Sequence, residues 1–114
     1  KKGKSWRIPN LTERVTVDTL DKVANFKNVS LIKIDVEGFE EFVIKGGKKL
    51  LNKQKPTIFL EVNNDMKRAQ RILDFCPKDY VFFNSLGADA IDNDMIYCHK
   101  NKHAFIKNLL LNKE

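Results

Sequence analysis

The chain has 114 residues, 42% of them hydrophobic and 32% charged, a balance that describes one globular domain and excludes disordered and fibrous classes. No apolar run approaches the roughly 18 residues of a membrane span, and the Lys-rich opening Lys1-Lys2-Gly3-Lys4 leads into no apolar signal core, so a cytoplasmic protein without a span is expected. The net charge of +6 could suit phosphates, but there is no Arg-rich helix, zinc-finger spacing or ribonucleoprotein aromatic motif, so no nucleic-acid partner is expected.

A basic, poorly patterned opening runs through Asn10. Val15-Thr16-Val17-Asp18 then alternates apolar and polar and predicts a short strand, with Thr19 capping a helical turn whose buried side is Leu20, Val23 and Ala24. Leu31 to Val36 predicts the next strand, stopped at Glu37-Gly38 where glycine permits a sharp change of direction. From Phe39 the period becomes helical: Phe39, Phe42, Val43, Gly46 and Leu50 fall on one stripe, with Glu40, Lys45, Lys48 and Lys49 off it. Pro56 ends that helix, and Thr57-Ile58-Phe59-Leu60-Glu61-Val62 predicts a central strand covered on both faces.

Asn63, Asn64 and Asp65 supply caps for a second helix. Met66, Ala69, Ile72, Leu73 and Cys76 form its apolar face, while Lys67, Arg68 and Arg71 are expected to face water. After Pro77, Tyr80 to Phe83 and Met95 to Cys98 predict two strands joined by a loop over 86–94, too short for a helical crossover and therefore an antiparallel hairpin at the sheet edge. Phe105, Ile106, Leu109 and Leu110 give a helical tail. Cys76 and Cys98 lack any metal or redox spacing and are expected to be reduced core residues; His99 and His103 fall on different elements. Alternating strands and helices predict an α/β fold with a mostly parallel sheet.

In such sheets ligands bind beyond the carboxyl ends of the strands. Asp35 and Glu37 close one strand; Glu61, Asn63 and Asn64 close the strand expected beside it. Parallel neighbours lie about 4.8 Å apart, so Asp35 and Glu61 could converge on one ligand. Three roles are open to the pair: general base for a hydroxyl, hydrogen-bond acceptors that orient a substrate, or oxygen ligands for magnesium. The alternative is architectural, with Glu37 and Asp65 favouring the helix N-termini and Asn63-Asn64 forming a turn. Asn63, Asn64 and the 86–94 loop are the candidates for contact with a substrate.

The connected series Val15-Thr16-Val17-Asp18-Thr19-Leu20-Asp21, Lys33-Ile34-Asp35-Val36-Glu37-Gly38-Phe39-Glu40, Lys45-Gly46-Gly47 with Leu50-Leu51, and Lys55-Pro56-Thr57-Ile58-Phe59-Leu60-Glu61-Val62 resembles the FkbM-type methyltransferases, from about residue 15 to residue 62 and more weakly beyond. The resemblance implies a Rossmann-like, class I, S-adenosylmethionine-dependent methyltransferase acting on a hydroxyl of a small molecule or sugar. It makes the Asp35 strand the fourth and the Glu61 strand the fifth, with the final hairpin closing the sheet. It also matches Asp35, Glu37 and Glu61 to acidic family positions, and by fold-level analogy a divalent cation on Asp35 and Glu61 is conceivable.

The family's glycine-rich cofactor turn, Asp-x-Gly-Ala-Asn-x-Gly in type, does not occur in the sequence. The resemblance therefore implies the carboxyl-terminal half of the domain over residues 15–114, behind a basic lead-in over 1–14, and inactive in isolation. The alternative is a non-catalytic interaction domain or a subunit of a split enzyme. An unpaired edge at residues 31–36 then implies a homodimer or a separate amino-terminal half as partner.

Overall fold

The computed structural model describes residues 4–7, 14–17, 28–35 and 38–112. Strand β1 (Lys4–Arg7) pairs antiparallel with β2 (Arg14–Val17), Trp6 opposite Val15. The basic opening thus contains a strand that its composition does not announce, whereas the strand expected from Val15 is present one residue earlier. The helical turn expected after Thr19, and Glu37, lie outside the described residues.

The main sheet contains β3 (Leu31–Ile34), β4 (Thr57–Glu61), β5 (Tyr80–Asn84) and β6 (Asp94–His99), in the order β3-β4-β6-β5. The β3/β4 ladder is parallel; β4/β6 and β5/β6 are antiparallel. The expectation of a mostly parallel sheet needs correction. β3, β4 and β5 run the same way, but β6 returns between β4 and β5, so only one neighbouring pair is parallel and the sheet is mixed. The terminal hairpin is present, and β4 is flanked on both sides as expected.

Between β3 and β4 the chain forms α1 (Glu40–Gly46) and α2 (Lys48–Gln54), where one continuous helix is expected from the sequence. The break is at Gly47, a buried residue. The buried positions are Glu40, Ile44, Gly47, Leu50 and Leu51, so the buried stripe keeps the expected Leu50 but takes Glu40 and Ile44 where Phe39 and Phe42 are expected. Phe39 and Phe42 are instead 53% and 68% exposed. Lys55 takes a left-handed conformation (φ 49°), its N–H bonded to the Leu51 carbonyl, and Pro56 starts the run into β4. Helix α3 (Met66–Phe75) follows β4, and a single 3-10 turn (Lys100–Lys102) leads into α4 (His103–Leu111).

One sheet face, with Ile34, Ile58, Leu60 and Tyr97, packs against Ile44 and Leu51 of the first helices and Ala69 and Ile72 of α3. The other face, with Phe83, Ile96 and Cys98, receives Ile106 and Leu110 of α4. Alternation along β4 follows from this: Ile58 and Leu60 are fully buried, whereas Thr57, Phe59 and Glu61 are half-buried. The Tyr97 hydroxyl donates to the Ala69 carbonyl at 2.8 Å, binding β6 to α3 with its polar atom satisfied. No helix among the described residues is long and apolar enough to cross a membrane.

Cys76 and Cys98 are free thiols, half-buried and buried. Burial pushes the Cys76 thiol from 9.0 up to about 12 and raises Cys98, Tyr80 and Tyr97 as well. The unfolded thiol loses its proton from about pH 9 upward while the folded one holds it to about 12, so the stabilisation is complete below 9 and falls away across that window. Urea unfolding should show stability declining from about pH 9, with a shallower decline in Cys76→Ala; parallel profiles for the two proteins would contradict the assignment.

Candidate active site

Because β3, β4 and β5 share a direction, their carboxyl ends and the amino end of β6 meet at one edge. The last pair of the parallel ladder is Ile34 with Leu60, so Asp35 and Glu61 come next at the same level of neighbouring strands, where strand spacing is about 4.8 Å. Asp35 is exposed and Glu61 half-buried. Opposite Glu61 on its other side stands Asp94 of β6, giving the edge a third carboxylate level with the pair. Glu61 shares its sheet face with Phe59, over whose ring Lys33 Nζ stands at 5.9 Å from the centroid.

Asn63 and Asn64 are exposed and both left-handed, with φ of 54° and 57°. Asparagine tolerates that region better than other non-glycine residues, which accounts for the pair as a turn. The turn is also bonded to the loop expected to act with it: Asn63 N–H donates to the Asn93 carbonyl at 3.3 Å and Asn64 N–H to the Asp92 carbonyl at 3.2 Å. Asp65 then caps α3, its Oδ1 accepting from Arg68 N–H at 3.1 Å.

The 85–93 loop is tied down at three places. Asn84, 5% exposed, accepts through Oδ1 from the N–H groups of Leu86 and Ala88, both at 3.0 Å. Asp89 takes Lys107 Nζ of α4 at 2.8 Å, which holds its carboxyl below the ordinary range. Gly87 sits at φ 90°, and a Cβ there would lie 3.0 Å from Leu111 Cγ. Gly87→Ala should therefore cost about 1–2 kcal/mol in chemical unfolding, through a strained backbone and the clash with α4; an unchanged midpoint would contradict that close approach.

A second cluster joins the two helices nearest the edge. Glu40 is 1% exposed at the start of α1; its Oε1 accepts from Gly38 N–H at 3.1 Å and from Arg68 Nη2 of α3. Beside it Glu41 takes Arg71 Nε and Nη2 at 3.2 and 3.1 Å. Arg68 and Arg71 thus pair with α1 instead of simply facing water, and Glu40 lies on the buried stripe. Sequence reasoning missed Glu40, Arg68, Asn84 and Gly87. The Asn-Ser-Leu-Gly run was a turn signal for the last two, but nothing local marks a pair joining Glu40 to Arg68.

Among the described residues no group of three or more His, Cys, Asp or Glu side chains is placed to hold a metal ion. His99 and His103 stand on separate elements: the His99 Nδ1 accepts from Asn101 N–H, and the His103 ring lies 5.2 Å from that of Phe83. Two open concavities of about 680 and 410 Å³ lie elsewhere, one lined by Lys48, Lys49, Asn52 and Lys53, the other by Gln54, Lys55, His99, Asn101 and Lys102. The second lies at the opposite, amino edge of β4, and neither touches Asp35 or Glu61.

Compared with known families, residues 4–110 match the methyltransferase FkbM domain. The chain belongs to this family. The match starts inside the basic opening and reaches α4, well beyond the 15–62 stretch that carries the clearest motif. The FkbM family implies a class I methyltransferase fold; the described part is an α/β unit with a four-stranded mixed sheet and four helices, not a complete Rossmann-like fold. No curated protein and no solved structure matches the chain.

Proposed function

We propose that this FkbM domain methylates a hydroxyl of a small molecule or sugar with S-adenosylmethionine as donor, and that the described residues are the carboxyl-terminal half of the fold, carrying the acceptor side of the site. The sheet order supports the reading, since the β3 and β4 strands stand side by side as the fourth and fifth strands of the family fold should, with the hairpin β5-β6 beyond them. The observation that carries it is the Ile34–Leu60 register, which brings Asp35 and Glu61 to one level beside the Asn63-Asn64 turn. A carboxylate there accepts a hydrogen bond from the acceptor hydroxyl, aims its oxygen, and takes up its proton when the oxygen is alkylated. Glu37 belongs to the same motif and is proposed to share in the same chemistry.

The described edge does not by itself fit the cofactor. Of its two helix N-termini, that of α3 has one backbone donor already taken by the chain's own acid, Asp65 accepting from Arg68 N–H, and Glu40 takes the Gly38 N–H just ahead of α1. The glycine-rich turn that would cradle the donor does not occur in the sequence. Asp35 and Glu61 are also oxygen ligands of the kind magnesium takes, although magnesium needs further ligands. The direct test is release of S-adenosylhomocysteine by the full-length protein over a panel of hydroxylated acceptors. Turnover dependent on the acceptor supports the proposal, and its absence over sugars and small alcohols alike overturns it.

A second reading, an interaction subunit, is favoured by the outer side of β3. Among the described residues β3 pairs only with β4, and Leu31, Phe39 and Phe42 are 64%, 53% and 68% exposed. An open strand edge beside exposed apolar side chains invites another strand, from a second copy or a separate amino-terminal half. Sedimentation should show concentration-dependent association that Ile32→Pro weakens; a wild-type chain that stays monomeric at high concentration and binds no partner would exclude it.

A further inference from the structure

We infer that Glu40 and Arg68 form a positioning pair that locks the turn after β3 to the first turn of α3, and so fixes the two acidic strand ends of the carboxyl edge relative to one another. Glu40 Oε1 is shared between Gly38 N–H on one side and Arg68 Nη2 on the other. Gly38 is the residue at which the chain leaves the Asp35-Val36-Glu37 segment, at φ 94°, with open space where a side chain would stand. Gly38 itself is therefore held by its hydrogen bond to Glu40, with no described side chain against its Cβ position. Arg68 is itself fixed, its N–H capped by Asp65 at the point where the chain leaves Glu61 and the Asn63-Asn64 turn.

Burial makes this arrangement specific. Glu40 is 1% and Arg68 14% exposed, so the carboxylate cannot turn to water instead. Apolar residues of the same size would hold α1 against α3 equally well, but they would not select which backbone amide the N-terminal turn of α1 grasps. A buried, hydrogen-bonded ion pair does select it, because any other arrangement leaves a charge uncompensated. Glu41 with Arg71, more exposed beside it, keeps the two helices in the same register. Glu40 is the last acid of the family motif in this sequence, and this contact gives it a purpose distinct from that of Asp35. The use to which the edge is put rests on the methyl-transfer reading; the contact does not.

Amide hydrogen exchange by NMR on the full chain tests the pair without donor or acceptor, so its failure and a failure of methyl transfer are read separately. Arg68→Met cuts the link from the α3 side and leaves Gly38 and Glu40 in place. It should speed exchange of the Gly38 amide by about tenfold or more beyond the general acceleration that the lost stability gives the Ile58 and Tyr97 amides. Asp65→Ala removes the α3 cap but not the pair, and should leave Gly38 exchange unchanged. If Arg68→Met does not fold, the double variant Glu40→Gln with Arg68→Met removes both charges and carries the same expectation. The inference is overturned if Gly38 exchange is unchanged, if it rises only in step with Ile58 and Tyr97, or if Asp65→Ala raises it as much.

Discussion

Asp35→Asn and Glu61→Gln, each made in the full-length protein, should lower methyl transfer by about 10²- to 10⁴-fold, the range expected for loss of a positioned general base. Folding should hardly change. Asp35 is exposed beyond the end of β3 and Glu61 is half-buried at the end of β4, and neither belongs to the packed core, so each substitution should stay within about 0.5 kcal/mol of wild type. Glu61 also faces Asp94 across the antiparallel ladder, and removing one of two like charges opposite each other relieves repulsion instead of creating it. A chelator separates the two chemical roles. Activity lost on chelation and restored by magnesium assigns the carboxylates to a metal, whereas indifference assigns them to proton transfer or positioning. Wild-type activity in both variants would remove them from the mechanism.

The largest stability effect should come from Arg68→Ala, which leaves the Glu40 carboxylate buried without its cation. Breaking such a pair costs about 3–5 kcal/mol, far above the roughly 0–1 kcal/mol of an exposed ion pair. Glu40→Gln combined with Arg68→Met should recover most of that loss, because no charge is then stranded. Urea unfolding of the two variants beside wild type measures both numbers. A loss under about 1 kcal/mol for Arg68→Ala would show that water reaches Glu40 in place of the guanidinium.

Elements whose pattern is local were legible in the sequence. Alternation along Ile58, Phe59 and Leu60, the Asp65 cap before α3, and the spacing of Ile106 and Leu110 each follow from a neighbour's face or a backbone donor a few residues away. The buried stripe of α1 was not, because hydrophobicity ranks Phe39 and Phe42 above Glu40. Only the distant Arg68 makes the carboxylate the buried member. Sheet order was legible in part: crossover length fixes β3 beside β4, but nothing in the chain marks that β6 enters between β4 and β5.

The candidate site divides the same way. Asp35 and Glu61 were legible as strand-end acids because parallel pairing places strand ends together. Asn63 and Asn64 were legible as a turn; their left-handed backbone accounts for it, and their bonds to Asp92 and Asn93 set them beside the loop. That loop reads as a variable segment, yet Asn84, Gly87 and the Asp89–Lys107 contact brace it against itself and α4. Such contacts join residues whose spacing in sequence carries no periodic signal.

The most direct test of the central claim is to incubate the full-length protein with S-adenosylmethionine carrying a ¹³C methyl group and a small-molecule and sugar extract of the cells that produce it, and to locate the label by NMR. The account predicts a new methoxy carbon on a hydroxyl-derived oxygen, lost in Asp35→Asn and Glu61→Gln. Label on nitrogen, sulfur or carbon, or no transfer while S-adenosylmethionine stays intact, would contradict it.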